Sequence, residues 1–152
     1  MIRRVLRSLT LAVAGTVIVA GLSSTPAQAA NYKWDGMDPY ATECGYDGVA
    51  VDDATVTYQG REVVYVWLIY SRACRTTWAE VAAASGYSDW SAKGYIHRNQ
   101  DGKRLYLSYV RNNSSGGVWV RYTPMVNDAG MSSYAAATYT GPQYPWVKTR
   151  SY

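Results

Sequence analysis

Nine consecutive residues, Glu62 to Tyr70 (EVVYVWLIY), constrain this chain more than any other stretch. β-Branched and aromatic side chains suit a pleated surface. A near-continuous apolar run of this length predicts a central strand buried on both faces. Such a strand needs partners, and the flanking sequence supplies candidates. Thr55 to Tyr58 reads as a short strand that leads into a turn at Gln59-Gly60. Cys74 to Val81 (CRTTWAEV) reads as a second strand with Cys74, Thr76 and Trp78 on one face, a short helix over Thr77 to Ala84 being the competing reading. Gly94 to Arg98 and Lys103 to Val110 flank a four-residue hairpin loop, Asn99-Gln100-Asp101-Gly102, with Leu105, Leu107 and Tyr109 on the inner face. Val118 to Thr123 follows a flexible turn at 112–117 and directs Val118, Val120 and Tyr122 inward, Trp119 and Arg121 outward. Met131 to Thr140 supplies a last strand, and residues 141–146 an extended tail. Asn31 to Gly48 is irregular, broken by Gly36, Pro39, Gly45 and Gly48. Six to eight short strands joined by turns predict a mostly β chain, a single small antiparallel β sandwich or barrel.

The N-terminus has the three parts of a secretory leader in order. Arg3, Arg4 and Arg7 form a positive region, Leu9 to Leu22 is apolar, and Pro26-Ala27-Gln28-Ala29 has the small-x-small cleavage pattern. Residues 1–29 are therefore expected to be a signal peptide, leaving residues 30–152 as one secreted domain. The apolar run is shorter than the roughly 20 residues a membrane-spanning helix needs. No membrane association is expected after cleavage.

In an exported chain the only two cysteines, Cys44 and Cys74, are expected to be paired. The bridge closes a loop of about 30 residues, for which loop-closure entropy gives on the order of 3–4 kcal/mol. There is no C-x-x-C pair, so the expected role is structural.

Cleavage also changes the charge argument. The whole chain has 15 basic and 11 acidic residues, but three arginines leave with the leader. The near-neutral remainder lacks the basic patch of a nucleic-acid-binding domain. Its charges are unevenly spread, because from Ala30 to Gly60 Lys33 faces Asp35, Asp38, Glu43, Asp47, Asp52 and Asp53, whereas the rest is basic. The simplest expectation is that the two parts pack together and compensate.

Catalytic chemistry finds few footholds. His97 is the sole histidine and sits in a strand-like run next to Arg98, and no G-x-S-x-G elbow is present. One histidine and two bridged cysteines cannot build a catalytic zinc site. Asp35, Asp38, Asp47 and Asp53 are the remaining candidates, as Ca²⁺ ligands or as paired carboxylates acting on a glycoside. Aspartate beside glycine and proline is also what turns use, because its side chain bonds the local backbone, and that reading is favoured. No cofactor is expected, with Ca²⁺ the one possibility. Arg72, beside the bridge, is a candidate partner for the acidic segment.

The 15 tyrosines and 6 tryptophans, without phenylalanine, place many rings at core edges or on the surface. Trp119, Arg121 and Trp146 are the candidate contact surface.

Several spaced elements resemble the DUF2690 family, small secreted bacterial proteins that include the YjfA-like ones. They are Asp35-Gly36-x-Asp38-Pro39, Ala41-Thr42-x-Cys44-x-x-Asp47 and Asp53-Ala54-x-Val56. Further along come Tyr70-Ser71-Arg72-x-Cys74, Trp78-Ala79-x-Val81 and Tyr122-Thr123-Pro124-Met125-Val126. The resemblance implies a secreted domain and no particular activity. The expected function is a non-catalytic extracellular binding domain for a protein or cell-surface glycan. The alternatives are an inhibitor of secreted proteases and a small glycan-active enzyme using the acidic cluster.

Overall fold

The computed structural model describes residues 32–84, 91–113, 118–140 and 144–152, without the side chains of 110–113 and 118–119. The predicted leader lies outside the described residues. Among the described residues ten strands form two antiparallel sheets, and no closed barrel is found. They are β1 Gly48–Tyr58, β2 Arg61–Ser71, β3 Thr76–Ala83, β4 Ala92–Arg98, β5 Arg104–Tyr106, β6 Tyr109–Asn113, β7 Val118–Tyr122, β8 Val126–Asn127, β9 Ser133–Tyr139 and β10 Val147–Lys148. The first sheet runs β1-β2-β3-β7-β6, with β8 also on β3. The second runs β10-β9-β4-β5.

The apolar run lies in β2, paired with β1 on one side and β3 on the other. Gln59 and Gly60 both take positive φ (48° and 75°) in the two-residue turn before it, the twist that suits a tight hairpin. Val64, Val66 and Leu68 of β2 face the second sheet with Ala79 and Val81 of β3. Across the gap they meet Ala92, Ile96, Ala135 and Ala137. Alanines dominate the second sheet's side, so the sheets approach closely. At Gly94 an added Cβ would lie 2.8 Å from a Val81 methyl and 2.9 Å from the Ala136 carbonyl oxygen.

The opposite face of the first sheet carries a second apolar cluster of Cys44, Ile69, Trp78, Tyr122 and Met125, packed with Trp34 and Tyr40. It is covered by the N-terminal segment, which contains two 3-10 turns at Pro39–Ala41 and Glu43–Tyr46. β3 is accordingly buried along its whole length, between the second sheet and this segment.

Three expectations are corrected. The stretch from Lys103 to Val110 is not one strand, because β5 belongs to the second sheet and β6 to the first, the chain crossing between them at Leu107 and Ser108. Leu107 N–H bonds Gly94 O on one sheet, and Ser108 N–H bonds Tyr122 O on the other. Leu105 and Leu107 therefore join the inter-sheet core while Tyr109 joins the other cluster. The first strand begins at Gly48, not Thr55, and its aspartates hid it because Asp disfavours strands. Residues 76–83 are strand throughout, so the helical alternative does not occur.

Candidate functional site

The acidic residues are dispersed, each engaged by the protein. Asp35 receives Arg98 Nη1 at 2.9 Å, Lys103 Nζ at 3.0 Å and the Asn127 N–H at 2.6 Å. Although burial opposes ionisation, these donors hold its carboxyl below the usual carboxylate range, so it is no proton donor near neutrality. Asp38 caps the first 3-10 turn by accepting from the Tyr40 N–H at 2.9 Å, with Pro39 in the first position where no N–H is needed. Asp47 accepts from Ser71 Oγ at 2.5 Å and the Ala73 N–H at 2.8 Å. Asp52 is bonded by Arg150 through both backbone N–H and guanidinium. Asp53 is exposed in β1 opposite Trp67. Among the described residues no three His, Cys, Asp or Glu come together as a metal-holding group. Arg72 is exposed, and the cations paired with the acidic segment are instead Arg98, Lys103 and Arg150.

Cys44 and Cys74 form the disulfide. It pins the second 3-10 turn to the loop between β2 and β3. The residues that carry the family resemblance work on this same side. Gly36 adopts φ +82° and gives its N–H to Met125 O at 2.9 Å, and Met125 N–H returns to Met37 O. Tyr40 stacks edge-on to Trp78 and Tyr122 and donates its hydroxyl to Glu80. Thr123 Oγ1 accepts from the Ala79 N–H at 3.1 Å, taking the place of a strand partner. This signature is architectural, a clamp holding the N-terminal segment on the first sheet.

The exposed face of the second sheet is built differently. Along β4, Ala92, Gly94, Ile96 and Arg98 are buried, while Lys93, Tyr95 and His97 point outward. β5 adds Arg104 and Tyr106, β9 adds Tyr134, β10 adds Lys148, and Trp146 lies just before β10. Tyr106 is 59% exposed and Trp146 48%. Tyr95 is the hub, with ring centroids of Tyr106, Tyr134 and Trp146 at 5.8, 6.3 and 5.0 Å. Burial and a hydrogen bond to Tyr134 push its phenol up, so it stays neutral. His97 stacks on Tyr134 at 4.7 Å and accepts at Nδ1 from Arg104 Nε at 3.1 Å. Burial, then the neighbouring Arg104 charge, push its imidazole down, which suits an acceptor in the neutral form. The Arg104 guanidinium lies 5.0 Å from the Tyr95 ring centre and Lys148 Nζ 5.2 Å from that of Tyr134, both within cation–π range.

A pocket of about 220 Å³ opens beside this face, lined by Ala92, Lys93, Gly94, Tyr106, Leu107, Arg121 and Trp146. Two of the three predicted contact residues thus meet in one place. Arg121 arrives there by a route opposite to the one expected. Its register partner is Val81, so it faces the second sheet and reaches the Ala92 carbonyl oxygen at 3.5 Å, half-buried, while Val120 and Tyr122 face the N-terminal segment. Trp119 lies in β7 opposite Asn112, its side chain outside the described residues. Most of the turn at 112–117, too glycine-rich for the rigid loop that a protease inhibitor needs, is also outside them. Sequence reading missed Lys93, Tyr95, Arg104, Tyr106, Tyr134 and Lys148. The outward alternation of Lys93, Tyr95 and His97 was its available signal, but only strand pairing brings β5, β9 and the tail beside it.

Searches of curated proteins and of solved structures return no match. The model of the DUF2690 family, described as a protein of unknown function, matches residues 32–137. That match spans well over half of the sequence and includes the N-terminal clamp together with β1 to β8 and most of β9, so the chain belongs to the DUF2690 family.

Proposed function

We propose that the protein is exported after removal of residues 1–29 and serves outside the cell as a non-catalytic binding module for glycan. One observation carries this reading. The outer face of the second sheet presents Tyr95, Tyr106, Tyr134 and Trp146 as a contiguous, partly exposed set of rings beside an open pocket. Aromatic residues left at a surface with a polar rim favour contact with a ligand that is apolar on one face and hydroxylated at its edge. A sugar ring has that character. Export is supported by the leader-like sequence and by the Cys44–Cys74 bridge, a bond typical of oxidising compartments. Carboxylate catalysis gains no support from Asp35 or Asp38, both committed to holding the N-terminal segment.

The test is co-sedimentation of the purified, oxidised chain with insoluble cell wall and with a panel of insoluble polysaccharides. Saturable pelleting is expected, falling about tenfold or more in affinity in Tyr106→Ala and Trp146→Ala, as for loss of a buried aromatic anchor. Absence of pelleting with every material would overturn the glycan reading and direct attention to protein partners.

A further inference from the structure

We infer that the ligand of this face is an acidic polysaccharide, one whose sugar rings carry carboxylates. The inference rests on the glycan-binding reading above and adds its charge. The four strands of the second sheet contain no Asp or Glu at all, but they contain Lys93, His97, Arg98, Arg104 and Lys148. Arg98 points inward and is neutralised by Asp35 and Asp101. Just outside these strands, Arg150 pairs with Asp52 and Lys103 with Asp35. Lys93, Arg104 and Lys148 remain as an outward-facing cationic set, all exposed.

Their placement relative to the rings is what selects a charged sugar over a simple polyanion. Lys148 stands by Tyr134, Arg104 by Tyr95, and Lys93 by Tyr106 and Trp146 at the pocket. The cations therefore surround the tyrosine cluster on three strands, so that a ring resting on the aromatics has a positive group beside it. Arg104 is also held in place, its Nε committed to His97 Nδ1 and its plane near Tyr95. A fixed guanidinium matches the two oxygens of a carboxylate better than a mobile ammonium does. His97, kept neutral by burial and by Arg104, adds no repulsion and completes the stacked surface.

The test uses polygalacturonate as probe, in affinity electrophoresis or calorimetry with the purified, oxidised chain. Binding is expected, weakening on methyl-esterification of the carboxylates and as NaCl rises to about 0.5 M, where exposed charges are screened. The double variant Lys93→Gln/Lys148→Gln leaves every ring in place and is expected to lose about tenfold or more in affinity for polygalacturonate. It should retain whatever affinity remains for the esterified polymer. Equal binding of acidic and esterified polymers, unchanged in the double variant, would overturn the acidic assignment and leave the glycan reading standing. Equal binding of poly-glutamate would overturn it too, because charge without sugar would then suffice. If neither the polygalacturonate nor any neutral polymer binds, both readings fall together.

Discussion

Arg98 ties together three separate parts of this molecule. It is 1% exposed and donates to Asp35 of the N-terminal segment, to Asp101 of the β4–β5 hairpin and to the Asn127 carbonyl oxygen of β8, with Tyr32 stacked over its guanidinium. Removing one member of such a network strands the others in a poorly solvated site. Arg98→Met is expected to lower unfolding free energy by about 3–5 kcal/mol in urea titration. A loss under about 1 kcal/mol would mean that solvent or Lys103 satisfies Asp35 equally well. Asp128, close by, shows the opposite balance. It is 8% exposed, and burial pushes its carboxyl up to about 6 despite the Ser133 hydroxyl at 2.8 Å and the nearby Arg98 and Arg75 charges. Between its unfolded value near 4 and about 6 the folded chain holds the proton more tightly than the unfolded chain does. Stability from this group is therefore highest at low pH and falls as pH rises through that window. Asp128→Asn keeps the acceptor for Ser133 and is expected to raise stability at pH 7 by about 1–2 kcal/mol, allowing for solvent at the carboxyl, with no gain at pH 4. Melting curves at the two pH values decide it.

At the scale of elements, the N-terminal segment is a lid fastened to the first sheet by one covalent bond, a pair of backbone hydrogen bonds, Tyr40, and the carboxylates of Asp35 and Asp47 on Asn127 and Ser71. Its fastening by Cys44–Cys74 is expected to contribute on the order of 3–4 kcal/mol. The Cys44→Ala/Cys74→Ala chain should show that loss in chemical denaturation, and amide exchange should rise first in residues 32–47. Uniform acceleration through β2 and β3 would instead mean that the lid and sheet open together. The two sheets meet where the residues are smallest. Gly94→Ala sets a methyl against the Ala136 carbonyl oxygen, which belongs to a paired strand and cannot swing aside. A cost of about 1–3 kcal/mol is expected, read as a lower melting temperature. The crossing from β5 to β6 escaped sequence reading because Leu105, Leu107 and Tyr109 alternate like a single strand, and no glycine or proline marks the change of sheet.

For the whole molecule, charge and pH behaviour follow from how the acidic segment is placed. Asp35, Asp47, Asp52 and Asp101 are all held below the ordinary carboxylate value by their donors, Asp101 down to about 2 by Arg98. A group of this kind stabilises the fold above its unfolded value and loses that contribution as pH falls towards its folded one. The protein is expected to lose stability below about pH 4, with the steepest decline as these four protonate. In Asp128→Asn that acid limb should persist, which a pH series of thermal melts would reveal. The same ion pairs account for the distribution of surface charge. They commit Asp35 to Arg98 and Lys103 and Asp52 to Arg150, while Lys93, Arg104 and Lys148 stand exposed on the second sheet, whose strands hold no Asp or Glu.

Residue order was enough to specify the β class, the central strand at 62–70, the Gln59-Gly60 turn, the 99–102 hairpin and the pairing of its two cysteines. These are matters of local propensity, turn chemistry and arithmetic, carried by neighbouring residues or by the absence of any other partner. It also named the charge compensation, but with Arg72 in place of Arg98, since a side chain 63 residues from Asp35 is brought to it only by the fold. The tertiary structure alone decided that β5 and β6 part company and that Arg121 turns between the sheets toward Trp146. It alone set rings from four separate segments beside one another. Alternation records which residues share a face of one strand; which strands lie side by side depends on long-range pairing, and the candidate site is made of that pairing.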